Sequence, residues 1–105
     1  MIGTLFNDAD AETAEELAKG ILPHSIRSME TPVSQPLWTD PKFEGRRVMI
    51  KTLQDAVFPV AAQQMFADRG GVGWDFREVD GGHEAFLTKP KAVADIVVEV
   101  IRSWS

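Results

Sequence analysis

Asp55 and His83 are the two side chains whose types and placement suit proton-transfer chemistry. Each follows a short apolar run, Arg47–Thr52 before Asp55 and Trp74–Val79 before His83. If those runs are parallel strands, both residues emerge at the same carboxyl edge, where open α/β sheets place their sites. A carboxylate that accepts from one imidazole nitrogen fixes the ring's tautomer, and the other nitrogen is then free to act as a general base near neutral pH. An architectural reading stands beside this one: Asp55 tips a turn ahead of a helix starting at Pro59, and His83 bonds within its own loop.

Other candidates carry less. His24 follows Pro23 near a helix end, where a solvated or dipole-stabilised imidazole is the ordinary reading. Two histidines without a single cysteine make no metal set, so neither metal nor cofactor is expected. Gly70-Gly71-Val72-Gly73 follows a helix and precedes a strand. That is the reverse of the order in a phosphate loop, and the segment reads as a turn.

The elements around Asp55 and His83 follow from periodicity. Val48-Met49-Ile50 fits a strand buried on both faces. Phe58, Ala62, Met65 and Phe66 fall on one face of a helix that Pro59 opens and Gly70-Gly71 closes. A second strand spans Trp74–Val79, with Trp74, Phe76 and the stem of Glu78 opposite Asp75, Arg77 and Val79. Asp80–Leu87, with its paired glycines, reads as a loop. Val93, Ile96, Val97, Val100, Ile101 and Trp104 then mark the apolar face of a last helix. A strand-helix-strand unit of this length closes a parallel, right-handed crossover, so the fold class is α/β.

Upstream the chain changes character. Ala14, Leu17, Ala18 and Ile21 recur at helical spacing behind Asp8 and Asp10, either of which can cap a helix over Asp10–Lys19. Thr31-Pro32-Val33-Ser34-Gln35-Pro36 forbids regular helix and makes an extended connector, which carries Leu37, Trp38 and Phe43. The 105 residues therefore form one small domain of two segments, 1–45 and 46–105.

Composition narrows the partners. A net charge of −5 with scattered basic residues disfavours nucleic acid and anionic membranes, which need a concentrated positive face. The absence of cysteine excludes a disulfide framework and a thiolate nucleophile. The opening stretch Met1–Asp8 reaches acidic residues before any long apolar run, so a soluble, cytoplasmic protein is expected.

The stretch from Arg47 to Trp104 resembles the C-terminal part of an α/β-hydrolase of the branch that holds plant methylesterases, hydroxynitrile lyases and their bacterial and fungal esterase relatives. Val48-Met49-Ile50-Lys51-Thr52-Leu53-Gln54-Asp55 matches the strand and triad Asp, and Gln63 or Gln64 matches a helix glutamine. Gly82-His83-Glu84-Ala85-Phe86-Leu87-Thr88-Lys89-Pro90 matches the Gly-His segment, with Thr88 where the family has Ser and Glu84 where it has a small or apolar residue. Leu5-Phe6-Asn7-Asp8 and the helix after it are similar to the late part of the family's cap. The resemblance implies a partial α/β-hydrolase fold, with 1–45 cap-like and 46–105 a core segment. It also implies an Asp55–His83 pair serving as acid and base, acting on small apolar esters or carbonyl adducts of specialised (secondary) metabolism.

The family's third member is missing. Ser25, Ser28, Ser34, Ser103 and Ser105 lack the flanking glycines and preceding strand of a Gly-x-Ser-x-Gly elbow. Ser34 reads as a solvated turn residue. With an incomplete triad, little or no hydrolysis is expected of the chain alone. The rival reading is a non-catalytic module that binds a small apolar ligand, or another chain, through the sheet edge and the Trp38 and Phe43 surface. A third is a lyase or isomerase that uses only the dyad. The bare edge beside Val48 leads to a further expectation, self-association or a partner chain paired there.

Overall fold

Val48–Thr52 (β1) and Asp75–Val79 (β2) pair in parallel, with Val48 opposite Asp75 and Thr52 opposite Val79. The structure, a computed structural model, describes residues 2–105, so Met1 of the opening stretch lies outside the described residues. The ladder continues past the strands: the Leu53 amide donates to the Val79 carbonyl and the Gln54 amide to Gly81. This extension brings the two following loops side by side.

Among the described residues, six helices complete the mixed α/β architecture: α1 (Ile2–Leu5), α2 (Ala11–Ala18), α3 (Ile26–Glu30), α4 (Val60–Arg69), α5 (Ala85–Thr88) and α6 (Pro90–Ser103). Asp10 caps α2, its carboxylate accepting from the Thr13 amide at 2.8 Å and the Thr13 hydroxyl at 2.8 Å. Asp8, the other capping candidate, goes elsewhere. Pro90 opens α6, where its missing N–H leaves no bond unmade. Gly71, with φ of +71°, takes the left-handed backbone that ends the α4 segment.

The two longest helices lie against opposite faces of the sheet. From α4, Gln64 meets Lys51 of β1, and from α6, Glu99 pairs with Arg77 of β2 at 3.4 Å. Within β2 the side chains alternate, Arg77 facing α6 and Phe76 lying under Lys51, whose Nζ is 4.2 Å from the ring centre, but Trp74 precedes the strand and lines the α6 side with Ile50 and Val97 instead of sharing the face of Phe76.

Further expectations are corrected. The apolar face drawn on α4 is not the buried one: Met65 and Phe66 are exposed, and Gln63 and Ala67 turn inward. Phe66 instead stacks edge-on with Phe58 at 4.9 Å. β1 is half-buried along its whole length, not buried on both faces, because one helix per face is too little cover. The expected loop through Leu87 ends in the one-turn helix α5, α3 forms just ahead of the connector, and two 3₁₀ turns, Leu37–Thr39 and Pro41–Phe43, follow its prolines. Ser25 and Asp40 cap α3 and the second turn through side-chain bonds to Arg27 and Lys42 amides. Pro32 to Pro36 forms no regular helix, as expected, and Thr31 and Pro36 at its ends are extended.

The connector is held to the sheet by Arg47, which is buried. Its guanidinium donates to the carbonyls of Trp38 at 2.5 Å and Asp40 at 3.0 Å, and to Glu44 at 2.9 Å. Trp38 thereby packs against Trp74, with ring centres 5.4 Å apart, and over Gly70, where a Cβ would lie 3.2 Å from the Trp38 ring.

The core is nonetheless open. The exposed surface of 7774 Å² exceeds by roughly a third the value of about 5,800 Å² for a compact monomer of this mass. The radius of gyration, 15.7 Å, compares with about 13 Å for a compact domain of this length. Leu22, Met29, Val33 and Leu37 are each at least three-quarters exposed. Among the described residues, no helix is long and apolar enough to cross a membrane.

Candidate functional site

At the carboxyl end of the sheet the turn after β1 folds around its own aspartate. Asp55 Oδ1 accepts from the amides of Val57 at 2.9 Å and Phe58 at 2.7 Å, and Oδ2 accepts from the Thr52 hydroxyl at 2.9 Å. The amide of Pro59 is missing by chemistry, so the chain leaves this turn directly into α4. The Asp55 side chain is only 4% exposed. Burial alone pushes its carboxyl up, but the Phe58 amide, the His83 ring, the Thr52 hydroxyl and the Val57 amide outweigh it and hold the group below the ordinary carboxylate range.

His83 arrives from the other loop. Its Nδ1 lies 3.0 Å from Asp55 Oδ2 and 3.2 Å from Oδ1, with the imidazole 36% exposed. The two residues singled out in the sequence are therefore brought together. With Asp55 ionised, Nδ1 is the nitrogen that donates to the carboxylate, and Nε2 takes no part in that bond. Nε2 has no hydrogen-bond partner among the described residues.

A layer of supporting groups surrounds the pair. Gln63 of α4 is buried, and its Oε1 accepts from the Thr52 amide at 3.0 Å. Its Nε2 donates to the carbonyls of Thr52 at 3.0 Å and Phe58 at 2.8 Å, and lies 3.1 Å from Thr52 Oγ1. Gln63, and not Gln64, is thus the glutamine that braces the Asp55 turn; Gln64 bonds Lys51 and Asp68 instead. No motif in the sequence marks Thr52, although its position three residues before Asp55 is a spacing that permits such a side-chain bond.

The upstream segment reaches the site too. Asp8 Oδ2 accepts from the Gly82 amide at 2.8 Å and from the Thr88 hydroxyl at 2.6 Å. Asn7 Nδ2 donates to the Gln54 carbonyl at 2.7 Å. For Asp8, burial raises the carboxyl, yet the bonds from Thr88 and Gly82, with the charge of Lys89, bring it below its ordinary value. No local sequence signal marks Asp8 for this task.

Comparison with known proteins adds no relative. No family model matches the chain, and neither a curated protein nor a solved structure matches it. The chemistry of the site therefore rests on its geometry.

The remaining candidates do not join the pair. No serine hydroxyl bonds His83 among the described residues, and Ser34 lies in the exposed connector. His24 is exposed, with Nε2 3.1 Å from Met29 Sδ. No group of three or more His, Cys, Asp or Glu is placed to hold a metal ion among the described residues. A separate apolar cavity of about 530 Å³ opens on the α6 face, lined among others by Trp38, Phe43, Ile50, Trp74, Val97 and Trp104. Asp55 and His83 are not among its walls.

Proposed function

We propose that this chain carries the acid and base of a serine-esterase-like triad, with His83 as general base and acid, Asp55 as its orienting partner, and the nucleophile supplied by another polypeptide or another copy. The reading includes a partial α/β-hydrolase fold and, by resemblance alone, small apolar esters or carbonyl adducts as substrates. The observation that carries it is the 3.0 Å contact between His83 Nδ1 and a buried, multiply bonded Asp55. A turn aspartate with a merely local task has no need of an imidazole, and four donors converging on one carboxylate keep it ionised at neutral pH.

In such a site Nε2 of His83 takes the proton of an attacking hydroxyl as the new acyl bond forms. It then returns that proton to the leaving oxygen, while Asp55 stabilises the imidazolium between the two steps. Without a hydroxyl and without oxyanion donors, the isolated chain forms no acyl-enzyme.

The test has two parts. By NMR, wild-type protein should show a low-field His83 ring proton that is absent in Asp55→Asn; failure to see it in a folded wild-type sample sinks the dyad. With a short-chain nitrophenyl ester, folded wild type should give no saturable turnover. Turnover that disappears in His83→Ala would instead reveal a complete site built by self-assembly.

A second reading has its own observation, the 530 Å³ cavity lined by tryptophans and apolar α6 residues. There the chain is a non-catalytic module for a small apolar ligand. Saturable quenching of tryptophan emission by such a ligand, unchanged in His83→Ala, would favour it.

A further inference from the structure

Asp55 and His83 lie on separate loops that meet directly, through the Gln54 amide on the Gly81 carbonyl at 2.9 Å and Gln54 Nε2 on Asp80 Oδ1 at 2.9 Å. The residues immediately before each, Gln54 and Gly82, are both held by one dipeptide from the far end of the chain. Asn7 Nδ2 bonds the Gln54 carbonyl at 2.7 Å, and Asp8 Oδ2 takes the Gly82 amide at 2.8 Å. We infer that Asn7-Asp8 is a positioning clamp that reinforces these bonds and holds the separation of Asp55 and His83; the inference rests on the dyad reading above.

Three further observations support it. The fit is close: a Cβ on Gly82 would lie 2.5 Å from Asn7 Oδ1 and 2.7 Å from Asp8 Oδ1, so any side chain there must displace the Asn7 and Asp8 side chains. Asp8 also bonds Thr88 at 2.6 Å, which ties the exit of the His83 loop, through α5, to the same carboxylate. Finally, Phe6, next to Asn7, is only 4% exposed and anchors the dipeptide to the body of the protein. Asp8 Oδ1 is buried without a partner among the described residues, a penalty tolerated where Oδ2 does the binding.

A capping or purely stabilising role predicts a different result from a positioning role, and the His83 ring proton separates them. Asp8→Ala removes the bonds to Gly82 and Thr88; it should leave the circular dichroism spectrum intact and speed exchange of that proton with water at least about tenfold, the factor associated with losing one of them. Asp8→Asn, which keeps a carbonyl oxygen for the Gly82 amide, should restore most of the protection. Gly82→Ala should reproduce the Asp8→Ala effect by steric means, since it leaves every hydrogen-bonding side chain in place. Unchanged exchange in folded Asp8→Ala and Gly82→Ala overturns the clamp while leaving the dyad standing. Absence of the ring proton in wild type overturns the dyad itself. If Asp8→Ala does not fold, Thr88→Val, which removes one of the two Asp8 bonds, takes its place: faster exchange is expected, and unchanged exchange overturns the clamp.

Discussion

Gln63 and Thr52 are bonded in both directions: the Thr52 amide donates to the glutamine carbonyl at 3.0 Å, and the glutamine amide returns a bond to the Thr52 carbonyl at 3.0 Å. The last residue of β1 thus pairs with a side chain of α4 as if with a neighbouring strand, and α4 is locked to the turn that presents Asp55.

Replacing Gln63 by Leu keeps the volume and removes these bonds, leaving the Thr52 amide and the Phe58 carbonyl without their glutamine partner, while the Thr52 carbonyl keeps the Asp55 amide at 3.3 Å. A loss of about 2–3 kcal/mol is expected, read from the urea midpoint. Gln64→Leu, next to it but half-buried and bonded to flexible partners, should change stability by less than about 1 kcal/mol.

Arg47 is the second such brace. Its three bonds to the connector are made from a buried side chain, so Arg47→Met should destabilise by about 2–4 kcal/mol and free Trp38 from Trp74. Red-shifted tryptophan emission alongside the lowered midpoint would report both. Unchanged emission would mean that the ring stacking stands without the guanidinium.

Acid should weaken the fold through Asp8 and Asp55. Both carboxyls sit lower in the folded state than the ordinary value of about 3.9, so the unfolded chain binds more protons in the carboxylate range. Their contribution is present in full above that ordinary value and is lost as the pH falls through the folded values below it. Urea midpoints followed from about pH 6 down to about pH 3 should fall, and Asp55→Asn should show a flatter decline. An equal slope in the variant would contradict the assignment.

The apolar surface left open should drive association. The excess of roughly 1,900 Å² over a compact monomer is more than the ~800 Å² that each partner buries in a standard interface. Light scattering should show mass rising with concentration, and Ile101→Glu on the exposed face of α6 should lower it. A monomer at all concentrations would refute this.

Much of this was legible in the sequence because it was periodic. β1, β2, α4 and α6 announce themselves by repeating apolar positions between breakers, and the dyad follows from what comes after each strand. The inward face of α4 was not legible, because apolar spacing points to Met65 and Phe66, whereas the strand end requires an amide that only Gln63 supplies. α3 and the 3₁₀ turns are too short for periodicity and depend on single caps such as Ser25 and Asp40. The part of Asp8 in the site is a purely tertiary fact.

The bond from Gly82 to Asp8 spans 74 residues of chain, and this fixes an order of assembly. Closing so long a loop in an unfolded chain requires about 4 kcal/mol or more of entropy, which the few hydrogen bonds of Asn7 and Asp8 do not offset. The β1-α4-β2 unit, whose partners are near in sequence, must form first and shorten that loop before the upstream segment docks. Amides of the strands should accordingly outlast that of Gly82 in deuterium exchange, because the segment that closes last is the first to open. The site is therefore a late product of folding, and a chain with an intact sheet can still be one in which it has not been made.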